Sequence, residues 1–402
     1  MNIAFIVTDL TNTRIGGISR VATEVGGNLV RQGHKVTAYV LRRSPDQQSR
    51  EFEGIHLRYI DRFPTLNSDY PVVGFSYRAF SRLAKDQKHD QYDIVQTFNI
   101  NAIGLCRFHR QVEGHTPRIV VASYETIMMD VAAKTRELVS LPSLRTLLQI
   151  VAEYYLSVGH ESRYLRRSDA IITEDDNTRR ALTHMGILAN RITIIPSGVD
   201  VEHARSAQPA AIPTFPSSGG PVIGYLGRVD PRKGVQYLVE AMPRVHSVFP
   251  DARLVLAGGS RHGYDRVIRE LIERQGLADR VHLLGGIAGD ILPYYKLMDL
   301  VVIPSLSEGI PITLGEAMAA EVPVVITRLP GVVPFIEPPD LVHWSDIASS
   351  ESLAESIIAA LKDPGRGTRI KRAADFIADY TWAKVARRYA EVYAAQLDRT
   401  PP

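Results

Sequence analysis

Residues 222–257 read VIGYLGRVDPRKGVQYLVEAMPRVHSVFPDARLVLA. Val222–Leu226 is a short apolar run of strand type, and Leu254–Ala257 is a second one. Between them, Val235–Val248 carries apolar residues at helical spacing. The loop that joins the first strand to the helix begins at Gly227 and ends at Gly234. A buried strand, a loop, a helix and another buried strand form one β-loop-α-β unit, the building block of a parallel sheet.

The same rhythm runs outward in both directions. Downstream, a helix over Asp265–Gln275 precedes a strand at Val281–Leu284, and a short helix follows at Ile291–Leu297. Strand Leu300–Ile303, helix Ile312–Ala320 and strand Val324–Ile326 continue the series. Upstream, the chain starts with strand Ile3–Val7. A helix with Ile18, Val21, Ala22, Val25 and Leu29 on one face comes next, then Gly33 and strand Val36–Leu41. Further strands are expected at Ile94–Gln96, Ile119–Ala122, Ala170–Thr173 and Ile192–Ile195. Residues 203–221 differ: Pro209, Pro213, Pro216 and Pro221 with Ser217-Ser218-Gly219-Gly220 have linker composition. The expectation is an α/β chain of two Rossmann-like, doubly wound parallel-sheet domains, residues 1–202 and 222–380, facing a cleft. Ligands then belong where loops leave the carboxyl ends of the strands.

Composition narrows the function. The chain has 402 residues, 45% hydrophobic and 23% charged, with net charge +3, which suits two folded domains and not a disordered chain. The 29 glycines and 24 prolines are ordinary usage, which sets aside collagen-like sequence. A single cysteine, Cys106, rules out an internal disulfide and a thiolate zinc cluster. No stretch is apolar for the roughly 18 residues of a membrane span, and Met1–Val7 lacks a signal-peptide pattern. The expected location is cytoplasmic, with a peripheral contact at the inner membrane surface left open. Residues 1–195 carry 25 Lys+Arg against 20 Asp+Glu, and the rest 22 against 24, a weak pull toward anionic partners. Nothing points to nucleic acid.

Two motifs carry chemistry. In Glu308-Gly-Ile-Pro-Ile-Thr-Leu-Gly-Glu316, one carboxylate sits in the loop after strand Leu300–Ile303 and the other a turn into the next helix. Pro311 suits a place near the first helical position, where its missing N–H costs little, and the helix start attracts anions. A carboxylate accepts hydrogen bonds from neighbouring hydroxyls of a ribose or hexose. The plainer alternatives are a helix-start cap for Glu308 and a solvated helix residue for Glu316. In Gly227-Arg228-Val-Asp-Pro-Arg-Lys233-Gly234, two cations at a strand end suit a diphosphate, the arginine gripping two oxygens and the lysine acting as a point charge. A basic surface loop is the alternative. Gly258-Gly259-Ser260 and Gly285-Gly286-Ile287 follow neighbouring strands and would let a base or ribose lie close to backbone.

With Gly16-Gly17, Pro196-Ser-Gly-Val-Asp200 and a segment opening at Trp382, these motifs resemble the retaining family 4 glycosyltransferases of the two-domain GT-B fold. The resemblance covers nearly the whole chain and is most specific from 222 to 337. It implies a nucleotide-diphosphate-sugar co-substrate on the second domain, with no metal and no further cofactor. Arg228 and Lys233 would hold the diphosphate. Glu308 would bind the sugar hydroxyls beside the backbone of Gly309, Ile310, Pro311 and Ile312, and Glu316 the ribose. Gly227, Gly258, Gly259 and Ile287 would line the donor. Gly16 and Gly17 would lie against the phosphates or the acceptor. Residues 381–402 would form a helix returning to the first domain. The implied reaction moves a hexose or amino-hexose, from UDP by preference, to a hydroxyl of a sugar, lipid-linked glycan, aminocyclitol or other natural product. An epimerase of the same fold and a non-catalytic sugar-nucleotide-binding subunit are the alternatives.

The chain departs from the family pattern in two places. Many relatives carry His on a loop of the first domain near the donor sugar, whereas Thr97-Phe98-Asn99 and Ser123-Tyr124-Glu125 follow the two middle strands here. Asn99, Tyr124 and Glu125 become candidates for acceptor or sugar contact, Glu125 with a cationic amine or else as a cap. Pro311 stands where several relatives have Gly and withdraws one N–H. Glu174-Asp175-Asp176, which looks like an acidic metal clamp, is read as a helix cap. Ser140–Arg167 is read as a helix packed on the first domain, or else one lying on an anionic membrane surface.

Overall fold

A computed structural model describes residues 1–10, 17–44, 47, 49–61, 71–108, 115–124, 126, 157–210, 219–260, 263–287 and 289–399. Gly16, Glu125, Ser140 to Leu156 and the 211–218 part of the expected linker lie outside the described residues. The chain forms two compact units, one of Met1–Gly198 with Trp382–Pro402 and one of Val199–Thr381. Within the second unit, Val201–Ser206 is a short helix, capped by Asp200 accepting from the His203 N–H at 3.1 Å. Its Val201 and Ala204 are buried in that unit's core.

The first unit holds β1 (Asn2–Ile6), β2 (Lys35–Leu41), β3 (Glu51–Phe52), β4 (Ile55–Ile60), β5 (Ile94–Phe98), β6 (Arg118–Ala122), β7 (Ala170–Thr173) and β8 (Ile192–Ile194). They form one sheet in the order β3-β4-β2-β1-β5-β6-β7-β8. Every pairing is parallel except β3 with β4, a short antiparallel edge that differs from the all-parallel expectation. The order reverses beside β1. β1 is buried from Ile3 to Ile6, as befits a strand covered on both faces. One face is covered by helix Pro71–Asp90, whose Phe75, Ala79, Phe80 and Leu83 fall at helical spacing and are buried. Helix Gly17–Arg31 and the last helix, Trp382–Leu397, also belong to this unit and pack on each other. Tyr389 and Tyr393 of the last helix are fully buried, and Tyr393 Oη donates to Gln96 at 3.0 Å.

The second unit holds β9 (Val222–Leu226), β10 (Arg253–Ala257), β11 (Val281–Gly285), β12 (Leu300–Ile303), β13 (Val324–Thr327) and β14 (His343–Ser345). The sheet is wholly parallel, in the order β11-β10-β9-β12-β13-β14. Strand residues alternate between two cores. Ile223, Leu254, Leu256, Leu300 and Val302 face helices Val235–His246, Tyr264–Arg274 and Ser350–Lys362. Leu226, Val255, Val301 and Ile303 face Leu292–Tyr295, Ile312–Ala319 and Arg366–Ile377. Each such side chain stabilises the fold by about 1.5–3 kcal/mol. Reversal of strand order occurs between β9 and β12. The loops leaving their carboxyl ends diverge there, and such a switch point is where open α/β sheets bind ligands.

Candidate active site

The loops after β9, β10 and β11 are laced together by backbone. Gly227 N–H donates to Ala257 O at 2.9 Å, Gly258 N–H to Gly285 O at 2.8 Å, and Val229 N–H to Gly259 O at 3.0 Å. Gly258 has φ +151, and a Cβ there would stand 1.8 Å from Gly227 O, so only glycine lets the loops meet this closely. Gly259 has open space around it. Ile287 is half-buried against the core.

The loop after β9 makes a tight turn, Pro231–Lys233, and Gly234 leaves it with φ +67. A Cβ at Gly234 would lie 1.9 Å from Pro304 O, in the loop after β12. Leu306 N–H donates to Arg232 O at 2.8 Å. The two loops that flank the switch point are thereby pinned to each other.

Across that junction Lys233 Nζ is hydrogen-bonded and ion-paired with Glu308 Oε1. Ser305 Oγ donates to the other oxygen, Oε2, at 2.8 Å. Ser305 is buried, and its carbonyl accepts from Thr327 Oγ1 at 2.6 Å. Lys233 and Glu308 are only 17% and 20% exposed, so the pair attracts more strongly than one in bulk water. Arg228 Nη2 stands 3.5 Å from Asp230 Oδ2 and is 42% exposed. Tyr225 Oη donates to Arg228 O at 2.5 Å, fixing the backbone beneath that side chain. Burial, reinforced by the charges of Glu308 and Asp230, holds the Tyr225 phenol well above its ordinary pKa, so it stays a donor at neutral pH. With Arg228, Arg232 and Lys233 set against Asp230 and Glu308, this loop pair keeps a net positive charge.

Helix Ile312–Ala319 starts immediately after Pro311, which is its N-cap, next to the first helical position. Ile310 and Pro311 are buried, while Gly309 and Ile312 are partly exposed. Glu316, just over a turn into the helix, is 3% exposed and accepts from Tyr295 Oη at 2.7 Å. Among the donor-side candidates, contacts bring Arg228, Lys233, Glu308, Gly227, Gly258 and Gly259 into one laced set. Glu316 is joined to Tyr295 instead. Tyr225, Asp230, Tyr295 and Ser305 escaped the sequence reading. Only Asp230 had a signal, an acid inside the basic motif.

In the first unit, Gly17 is the exposed first residue of its helix. Asn99 follows β5 with φ 44, and its Oδ1 accepts from Tyr124 N–H at 3.0 Å. Tyr124 turns its ring inward: its hydroxyl is 2.7 Å from that of Tyr389, and burial pushes its phenol pKa well up. Asp175 caps helix Asp176–His184 by accepting from Thr178 N–H at 2.9 Å, and Asp176 pairs with Arg179 and Arg180. Of the 140–167 segment, Ser162–Arg167 is a described helix with Tyr164 and Leu165 buried. Among the described residues, no cluster of three or more His, Cys, Asp or Glu could hold a metal, and no helix is long and apolar enough to cross a membrane.

Two family models match the chain. "Glycosyltransferase Family 4" matches residues 15–203 and "Glycosyl transferases group 1" matches 220–363. An uncharacterized glycosyltransferase of Methanocaldococcus jannaschii is 33% identical over 181 residues, 44% of this chain and 45% of that one. The phosphatidyl-myo-inositol mannosyltransferase of Mycobacterium leprae is 31% identical over 214 residues, 52% and 55%. The chain spans about half the length of these curated relatives. Among solved structures, sucrose-phosphate synthase from Thermosynechococcus elongatus superposes with TM-score 0.81 at 20% identity, over 98% of both chains. Anabaena HepE in complex with UDP-glucose superposes with TM-score 0.73 at 17% identity, over 98% of this chain and 100% of that one. These likenesses establish the two-domain GT-B fold.

Proposed function

We infer that this chain, which belongs to the family 4, group 1 glycosyltransferases, moves a hexose or amino-hexose from a nucleoside-diphosphate sugar to an acceptor hydroxyl with retention of configuration. The observation that carries this is the Lys233–Glu308 pair beside Arg228 at the switch point of the second unit. A diphosphate entering there competes with Glu308 for Lys233. When Lys233 turns to the phosphates, Glu308 keeps its Ser305 hydrogen bond and gains an oxygen for the hydroxyls of the sugar. One event thus serves both ends of the donor. Glu316, with Tyr295 on one oxygen, is assigned to the ribose.

Breaking the sugar–phosphate bond leaves a cationic sugar and a diphosphate with added negative charge. Arg228 and Lys233 meet that growing charge without rearranging solvent, and removing one such group typically costs about 10²–10³ in rate. The departing phosphate oxygen takes the acceptor's proton on the same face, so no separate base is assigned and none is needed from a metal-bound water. UDP is the favoured nucleotide, in keeping with the ligand named for HepE. A cyclitol or other polyol acceptor is in keeping with the name of the M. leprae relative. Asn99, Gly16 and Gly17 are the first-unit residues assigned to sugar and acceptor contact.

The test is turnover followed by NMR. Purified protein is given UDP- and GDP-hexoses with inositol, glycoside and aminocyclitol acceptors. An α-linked product from an α-linked donor supports the proposal. A β-linked product contradicts retention, an epimerised donor contradicts transfer, and no turnover of any donor contradicts the enzyme itself.

A further inference from the structure

Asp230 has features that the donor-site roles above do not use. It is 8% exposed, and its Oδ1 is buried with no hydrogen-bond partner among the described residues. It precedes the Pro231–Lys233 turn, where an aspartate ordinarily caps the backbone, yet its side chain makes no capping bond. The turn is closed by its backbone carbonyl instead, which accepts from Lys233 N–H at 3.1 Å. The carboxylate is therefore not there to hold the turn. Its near neighbour is the Arg228 guanidinium at 3.5 Å, longer than the roughly 2.7–2.9 Å of a charge-assisted hydrogen bond.

Resting on the donor-site proposal, we propose that Asp230 is a positioning residue for Arg228. A guanidinium carries five N–H groups in a planar fork and can be gripped on two edges at once. The Arg228 backbone is fixed by Tyr225, while its side chain is 42% exposed and, among the described residues, meets Asp230 through a loose contact. When a diphosphate takes the outer edge, the inner edge closes onto both Asp230 oxygens, and the unpartnered Oδ1 receives its N–H. Asp230 thereby sets the angle at which Arg228 meets the leaving phosphate. It also subtracts charge from Arg228 before the donor binds, so it improves catalysis more than it improves donor binding.

The test is a double-mutant cycle of Asp230→Asn and Arg228→Ala, read as kcat and donor KM separately. Asp230→Asn should lower kcat by about 10–100-fold, the usual scale for groups that orient a reacting residue, and leave donor KM within about threefold. In the Arg228→Ala background it should cost less than about twofold, because it acts through a group already gone. Asp230→Glu keeps the charge and should recover part of the lost kcat. If Asp230→Asn does not fold, Asp230→Glu combined with Arg228→Lys carries the same cycle. Losses that multiply, or a fall confined to KM, overturn the positioning role while leaving the donor site intact. A native protein that turns over no nucleotide sugar overturns the donor site itself, and the inference with it.

Discussion

Lys233 and Glu308 lie in different loops of the second unit, and their ion pair spans the point where strand order reverses between β9 and β12. The pair closes the site onto itself: the cation that a diphosphate needs is satisfied by the carboxylate that a sugar needs. A donor must part them, and parting them serves it twice.

Glu308→Gln should therefore separate nucleotide binding from turnover. With its counter-ion gone, Lys233 is fully available to phosphate, so nucleoside diphosphate should bind as tightly as to the native protein, or a few-fold more tightly. Turnover of the sugar nucleotide should drop by about 10²–10³. Calorimetry with the nucleotide alongside initial rates checks this. A large loss of nucleotide affinity in the variant counts against the switch.

Gly234→Ala should destabilise the second unit. A methyl at φ +67 would meet Pro304 O at 1.9 Å, and that oxygen is backbone with nowhere to go. The expected loss is about 3 kcal/mol, or roughly 6–12 °C in thermal midpoint for a domain near 200 residues. A midpoint within about 2 °C of native would mean the two loops are not pinned there.

The first unit offers a hydroxyl pair to test. Tyr124 and Tyr389 bond to each other in the buried seam beneath the last helix. Tyr389→Phe leaves the Tyr124 hydroxyl buried and unsatisfied, at about 1–3 kcal/mol, whereas Tyr124→Phe with Tyr389→Phe removes both and should cost less than either single change. Urea titrations of the three variants decide, and a double variant weaker than both singles contradicts the pairing.

These residues also show what a sequence reveals. Lys233 and Glu308 stood out in the sequence because they follow strand ends, and Glu316 because it falls eight residues after Glu308, in the helix that follows. Asp230 and Tyr225 were not, since their meaning lies in burial and in the Arg228 groups they face. Tyr124, a candidate for sugar contact, turns to a residue 265 positions away along the chain, a pairing no local pattern encodes. β4 was missed because His56 and Arg58 interrupt its apolar run, and Arg58 is bound to Asp86 and Asp90 at 2.5 and 2.6 Å. Helix Pro71–Asp90 had its apolar spacing in plain view.

Stability should fall between neutral and mildly acid pH. Burial holds the imidazoles of His282 and His343 below their ordinary pKa, with added repulsion from Arg253 and Arg369. The unfolded chain takes up protons first, from about pH 6.5 downward. It then binds more protons than the native state, so native stability drops as pH falls through that value. Asp363, held low by its hydrogen bond from Arg369, titrates below this window. The urea midpoint at pH 5.5 should lie below that at pH 7.5, and His343→Gln should narrow the gap. Equal midpoints at both pH values contradict the two partly buried imidazoles.

The central claim is that the second unit binds a nucleoside diphosphate through Lys233. Thermal midpoints of the native protein and Lys233→Ala, with UDP, GDP, ADP or dTDP and with or without EDTA, test it most directly. A ligand at about 100 times its dissociation constant stabilises by roughly 2.7 kcal/mol, or about 5–10 °C for a domain of this size. We predict that one nucleotide, UDP by preference, raises the native midpoint by that amount, that EDTA leaves the shift unchanged, and that Lys233→Ala abolishes most of it. No shift with any nucleotide, or an equal shift in Lys233→Ala, would contradict the claim.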